Sequence, residues 1–200
     1  MKIINLHDKE KGRFPMLFVK TFSFSLLFFL AATLNAQVVI SEVFSGGSFE
    51  LRNTGNSTAN ISNYWICDFP DYRRIDQLTI ECGSLNLGAG EEVVLTAPGL
   101  HETNDSELGL YTRNNFGDAT ALVSYVEWGS SGHQRSGLAI GRGLWDGDAV
   151  SAFSNTQSLE LNGSGSAGAD WGLNANPMAC LLYTSPSPRD ATLSRMPSSA

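Results

Sequence analysis

Lysine is missing from most of this chain. All four lysines, Lys2, Lys9, Lys11 and Lys20, lie in the first twenty residues. Between residues 37 and 179 the only cationic side chains besides histidine are six arginines (Arg52, Arg73, Arg74, Arg113, Arg135 and Arg142). They stand against seventeen acids, which leaves a net charge of −11. A surface of that sign repels phosphate backbones and argues against a nucleic-acid partner. Cysteine is scarce, with three in 200 residues and no Cys-x-x-Cys spacing, which argues against zinc. A Gly-x-Ser-x-Gly nucleophile elbow is also missing. So is helical periodicity in any window beyond the N-terminal apolar stretch, and no apolar run reaches the roughly 20 residues that span a bilayer.

The two ends differ from the middle. Residues 1–36 are expected to be a signal peptide. A charged start through Lys20 precedes an apolar stretch, Thr21 to Ala32, and the small residue Ala36 stands before Gln37. Residues 1–15 are polar and Met16 is a plausible true start, so the N-terminus is expected to be over-extended. Residues 180–200 collect Pro, Ser and Arg and lose hydrophobic alternation. That string resembles translated adaptor read-through and is expected to be a disordered, non-native tail, with the native chain continuing elsewhere. The placement of Cys180 at this junction leaves its status open. Export implies an oxidising compartment, in which Cys67 and Cys82 are expected to form a disulfide.

What is present in the middle, residues 37–179, is a succession of short alternating segments punctuated by turns. Val38 to Phe44 is an apolar strand that ends at Gly46-Gly47. Phe49 to Arg52 then alternates Phe and Leu with Glu and Arg, a hairpin pattern. A polar turn, Asn53 to Asn60, leads to a third expected strand, Ile61 to Cys67, which carries Trp65. Phe69 to Arg74 reads as a loop. Strands are expected at Ile75–Ile80, Glu91–Thr96, Leu108–Thr112, Ala121–Trp128 and Gln157–Leu161. Gly129 to Gly137 reads as a Gly/Ser loop, and Ala139 to Trp145 is ambiguous. Trp171 is expected to pack back on an edge. Such spacing predicts an all-β fold, an immunoglobulin-like antiparallel β-sandwich of one domain.

The order of these segments resembles the bacterial lamin tail domain. The resemblance runs through Val39-Ile40-Ser41-Glu42-Val43, Phe49-Glu50-Leu51-Arg52-Asn53 and Ile61-Ser62-Asn63-Tyr64-Trp65 with Asp68. It continues with Leu87-Gly88-Ala89-Gly90-Glu91, Phe116-Gly117-Asp118 and Val126-Glu127-Trp128-Gly129. It departs where the family has glycine before the strand aromatic and this chain has Tyr64, and paired cysteines are not general to the family. The resemblance implies an immunoglobulin-like sandwich that serves as a secreted accessory or surface-display module, with no catalytic residues to carry over.

Candidate chemistry is thin. His133 lies in a Gly/Ser loop near Ser136 but lacks the sequence setting of a triad. Glu42 and Glu50 are expected on neighbouring strands, where paired carboxylates can do acid–base work; strand carboxylates more often face solvent or pair with a residue such as Arg52. Calcium is a candidate ligand at two oxygen-rich loops, Asn104 to Glu107 and Asp146 to Asp148, neither with full EF-hand spacing; no other cofactor is implied. Tyr64, Phe69, Tyr72, Arg73 and Arg74 form a candidate binding surface for a sugar or a protein. The function expected is a non-enzymatic module for binding, adhesion or structural display at the cell surface. The alternative is an accessory domain of a larger secreted nuclease or phosphoesterase.

Overall fold

The computed structural model describes residues 37–175 and Pro177. The expected signal peptide, the tail and Cys180 lie outside them. Among the described residues there are twelve strands, ten of which build an antiparallel β-sandwich. One sheet has six strands in the order β12 (Trp171–Asn174), β11 (Ser158–Leu161), β1 (Val38–Phe44), β2 (Ser48–Asn53), β8 (Glu92–Thr96), β6 (Thr79–Gly83), and the other has four in the order β10 (Leu122–Trp128), β9 (Ser106–Tyr111), β4 (Trp65–Asp68), β5 (Asp71–Arg74).

β1 (Val38–Phe44) and β2 (Ser48–Asn53) form the expected hairpin across Gly46-Gly47. At Gly47 φ is +85°, and a Cβ there would sit 2.1 Å from the carbonyl oxygen of Ala97, so only glycine fits. β2 buries Phe49, Leu51 and Asn53 while its alternate residues are half-buried, as period-two patterning requires. The Asn53 side chain closes the far end of this hairpin: its amide donates to carbonyls of Ser57 and Leu87, and its Oδ1 accepts from Gly55 N.

The third expected strand begins later than its apolar pattern suggests. Ala59–Asn60 (β3) pairs with Asn86–Leu87 (β7) in a small separate ladder. The Asn60 side chain then accepts from Ser62 N at 3.1 Å, and Tyr64 N donates back to Ile61 O. This side-chain-capped turn removes Ile61 to Tyr64 from the sheet. Only Trp65–Asp68 (β4) is extended. The chain reverses over Phe69-Pro70 and returns as β5 (Asp71–Arg74), a hairpin strand where the sequence reads as a loop. The expected strand Ile75–Ile80 is split: a 3-10 turn covers Ile75–Gln77, and β6 (Thr79–Gly83) forms a sheet edge on which Ile80 is exposed.

β8 (Glu92–Thr96), β9 (Ser106–Tyr111), β10 (Leu122–Trp128) and β11 (Ser158–Leu161) fall where alternation predicts them. β12 (Trp171–Asn174) pairs with β11 and places Trp171 on the sandwich, as expected. The core between the sheets holds Ile40, Phe49, Leu51, Leu95, Leu108 and Trp128, all buried. Trp128 donates its indole N–H to Glu102 O at 2.9 Å, which satisfies its one polar atom.

Two expectations are overturned. The loop after β10 contains a helix, α1 (Ser136–Arg142), where no helical period is visible. Seven residues with two glycines are too short and too mixed to show a period. The helix is held by Ser136 and Ala139 packed inward and by Gly143 at φ +72°, which caps it through bonds to Ala139 O and Ile140 O. The Cys67–Cys82 disulfide is not formed. Cys67 is a fully buried free thiol on β4 of the four-stranded sheet, whereas Cys82 is on β6 at the edge of the other sheet. Two cysteines fifteen positions apart read as neighbours, but the connection from β5 to β6 carries the chain from one sheet to the other.

Candidate functional site

Two pairs of glutamates define the polar chemistry of this domain. Each pair sits directly opposite across neighbouring strands. Glu42 on β1 is in register with Glu50 on β2, as the sequence suggests. Glu127 on β10 is in register with Glu107 on β9, which the sequence reading missed.

The first pair lies on the six-stranded sheet. Glu50 accepts from Ser41 Oγ at 2.7 Å, and Glu42 accepts from Ser158 Oγ and, at 3.4 Å, from Asn174 Nδ2. Burial pushes the Glu50 carboxyl up to about 7, and it raises Glu42 as well. Arg52 pairs with Glu92 at 3.5 Å across β2 and β8, not with Glu50.

The second pair is sealed. Residues 129–145 fold as a strap over β9 and β10, and Glu107 and Glu127 are 1% and 0% exposed beneath it. Tyr125 Oη lies 2.8 Å from Glu107 Oε2 and 3.0 Å from Glu127 Oε2. Glu127 also accepts from Trp145 Nε1 at 2.9 Å, Ser136 Oγ at 3.1 Å and the backbone N–H of His133 at 3.1 Å. Glu107 accepts from the backbone N–H of Arg135 at 2.9 Å. Burial raises the Glu107 carboxyl above its usual range; the hydrogen bonds it shares with Arg135 N and Tyr125 Oη and the nearby His133 and Arg135 oppose this. Burial, followed by the charge of Glu107, also raises the Tyr125 phenol.

Beside this pair lies Cys67, opposite Gly109 in the β4–β9 register and opposite Tyr72 in the β4–β5 hairpin. Burial drives its thiol up to about 12, with the Glu107 carboxylate adding to the effect and Arg135 opposing it. Gly109 has a steric reason to be glycine: a methyl group there would stand 2.9 Å from Tyr111 Cε2 and 3.3 Å from Leu122 Cδ1. Asp68 accepts from Ser106 Oγ, and its carboxyl is raised to about 6 by burial.

His133 and Ser136 do come close to acids, but not to act on one another. Ser136 donates to Glu127 and is 2% exposed, while His133 Nε2 approaches Asp105 Oδ1 at 3.4 Å. A serine that donates to a buried glutamate under a closed strap is a structural anchor. The two oxygen-rich loops are likewise engaged internally. Asp105 accepts from Ser130 N and Oγ, and Asp146 accepts from Asp148 N and Gly168 N. Among the described residues no three acidic, histidine or cysteine side chains converge as a metal-ligand set.

The candidate binding surface is partly assembled. Phe69 is 45% exposed and stands edge-on to Tyr72 at 6.4 Å. Tyr72 packs on Phe116 at 4.0 Å, and Phe116 in turn meets Trp65 and Tyr111 edge-on. The guanidinium of Arg135 lies 5.3 Å from the Phe69 ring centre and 5.7 Å from that of Tyr72, and it donates to the Tyr72 hydroxyl. Arg73 and Arg74 are committed to Asp71 and Asp76. Tyr64 belongs elsewhere, to a shallow cleft of about 170 Å³ lined with Gln37, Leu122, Val123 and Arg142. Arg135 and Phe116 are the members that sequence reasoning missed; both arrive from loops distant in the chain. No helix among the described residues is long and apolar enough to cross a membrane. Neither a family model, nor a curated protein, nor a solved structure matches this chain.

Proposed function

We propose that this sandwich is a non-enzymatic binding module of an exported, lamin-tail-like protein, displayed at the cell surface, and that it holds a polysaccharide chain against Phe69 and Tyr72. The observation that carries the reading is the ridge Phe69–Tyr72–Phe116 at the free edge of the four-stranded sheet, backed by the Arg135 guanidinium. Flat aromatic faces with a planar donor beside them suit the apolar faces and hydroxyl edges of sugars. The chemistry-bearing groups support the same reading: Glu107, Glu127 and Ser136 bond to their own fold beneath the strap. The net negative charge of residues 37–179 disfavours polyanionic chains, so a neutral glycan is the fitting class. The test is isothermal titration of the domain with neutral β-glucan and chitin oligomers and with an acidic polysaccharide as control. Binding of a neutral oligomer that Phe69→Ala weakens at least tenfold supports the reading. No binding to any neutral oligomer, or binding indifferent to Phe69→Ala, overturns it.

A further inference from the structure

One phenol stands between two buried carboxylates, and hydrogen counting limits what that arrangement can be. Tyr125 Oη is within bonding distance of Glu107 Oε2 and Glu127 Oε2, yet it carries a single hydrogen. If both carboxyls were ionised, the phenol could satisfy one and would turn its lone pairs toward the other. Two anions facing each other directly across strands, without solvent, are strongly unfavourable. We propose that Glu107, Tyr125 and Glu127 hold one shared proton beyond the phenol's own, and that its loss to solvent as pH rises unlatches the 129–145 strap from the sheet.

The direction of the chain follows from the donors. Glu127 is surrounded by the Trp145 indole, the Ser136 hydroxyl and the His133 backbone N–H, a set that suits an anion. Glu107 Oε1 is buried and has no partner, a poor setting for full charge. The carboxyl of Glu107 therefore donates to Tyr125 Oη, which donates to Glu127. The groups facing Glu107 are few. Glu127 and Tyr125 come from β10, Cys67 and Asp68 from β4, Tyr111 from its own strand, and His133 and Arg135 from the strap. Burial at Glu107 acts in the same direction by favouring its neutral form. The mechanical consequence is specific because the strap seals both carboxyls, bonded to Glu107 through Arg135 N and to Glu127 through His133 N, Ser136 and Trp145, so a second anion beneath it reaches water only when the strap lifts. Release moves Arg135, and with it the guanidinium that lies beside Phe69 and Tyr72.

The experiment is carbon-13 NMR of glutamate side-chain carboxyls together with the Trp145 indole resonance, followed from pH 4 to pH 10 in the wild-type chain and in Glu107→Gln. In the wild type the Glu107 carboxyl is expected to titrate above its ordinary 4.5, and the Trp145 indole to shift with the same midpoint. In Glu107→Gln, whose amide still donates to Tyr125, the indole is expected to hold its position throughout. A Glu107 carboxyl that titrates near 4.5, or an indole that does not move with it, overturns the proposal. The carboxyl titration is read in the wild type, so it decides the matter even if the variant fails to fold.

Discussion

The two glutamate pairs pose the same problem and solve it differently. Both place carboxyls in direct register on adjacent antiparallel strands, an arrangement that is destabilising when both are charged. On the six-stranded sheet each carboxyl takes its own serine, Ser158 for Glu42 and Ser41 for Glu50. On the four-stranded sheet one phenol serves both, and a seventeen-residue strap covers them. Separate donors leave each carboxyl with a hydrogen-bond partner of its own. A common bridging hydroxyl under a lid ties protonation to tertiary structure.

The comparison breaks most forcefully at Glu127. Glu127→Ala leaves the buried indole of Trp145 and hydroxyl of Ser136 without an acceptor, and a loss of about 3–4 kcal/mol is expected in urea denaturation. Glu42→Ala on the other sheet is expected to cost far less. Gly109→Ala pushes a methyl group into the Tyr111 ring and is expected to cost about 1–3 kcal/mol, with a second substitution, Tyr111→Ala, relieving the clash. Tyr125→Phe removes the hydroxyl that bridges the two carboxyls and is expected to cost about 1–2 kcal/mol, measured the same way.

The smallest effect sharpens the contrast through pH. Glu50 has its folded value raised from 4.5 to about 7, so the folded state binds the proton more tightly than the unfolded state. Its favourable contribution is therefore complete below pH 4.5 and is lost as pH rises to about 7. Glu50→Gln is expected to flatten that part of the stability curve by roughly 1 kcal/mol, allowing for screening at a half-open surface. A melting curve series between pH 4.5 and 7.5 measures it. An unchanged slope would show that Glu50 is as solvated folded as unfolded.

The strands were legible where residues alternate, and illegible where side-chain hydrogen bonds or long-range contacts decide. β1, β2, β8 and β10 announce themselves because one face is apolar and the turns carry glycine. β5 does not, since its Asp71-Tyr72-Arg73-Arg74 is polar and becomes a strand only by pairing with β4. The start of β4 is displaced by the Asn60 side chain, a local competitor that periodicity does not weigh. The pairing of Glu42 with Glu50 follows from a short hairpin, so it could be anticipated. That of Glu107 with Glu127 spans a loop of unpredictable register, although a glutamate within each apolar strand, Ser-Glu-Leu-Gly-Leu-Tyr and Tyr-Val-Glu-Trp, is the signal that was available. Arg135 and Trp145 join the site through a helix too short to show a period.

The buried free thiol of Cys67 gives this domain a built-in stopwatch. With its proton held to about 12, almost no reactive thiolate exists while the sandwich is closed, so alkylating reagents meet it only during excursions that uncover β4. The speed of its capture at fixed pH counts how often the layers part, and it needs no engineered label to do so.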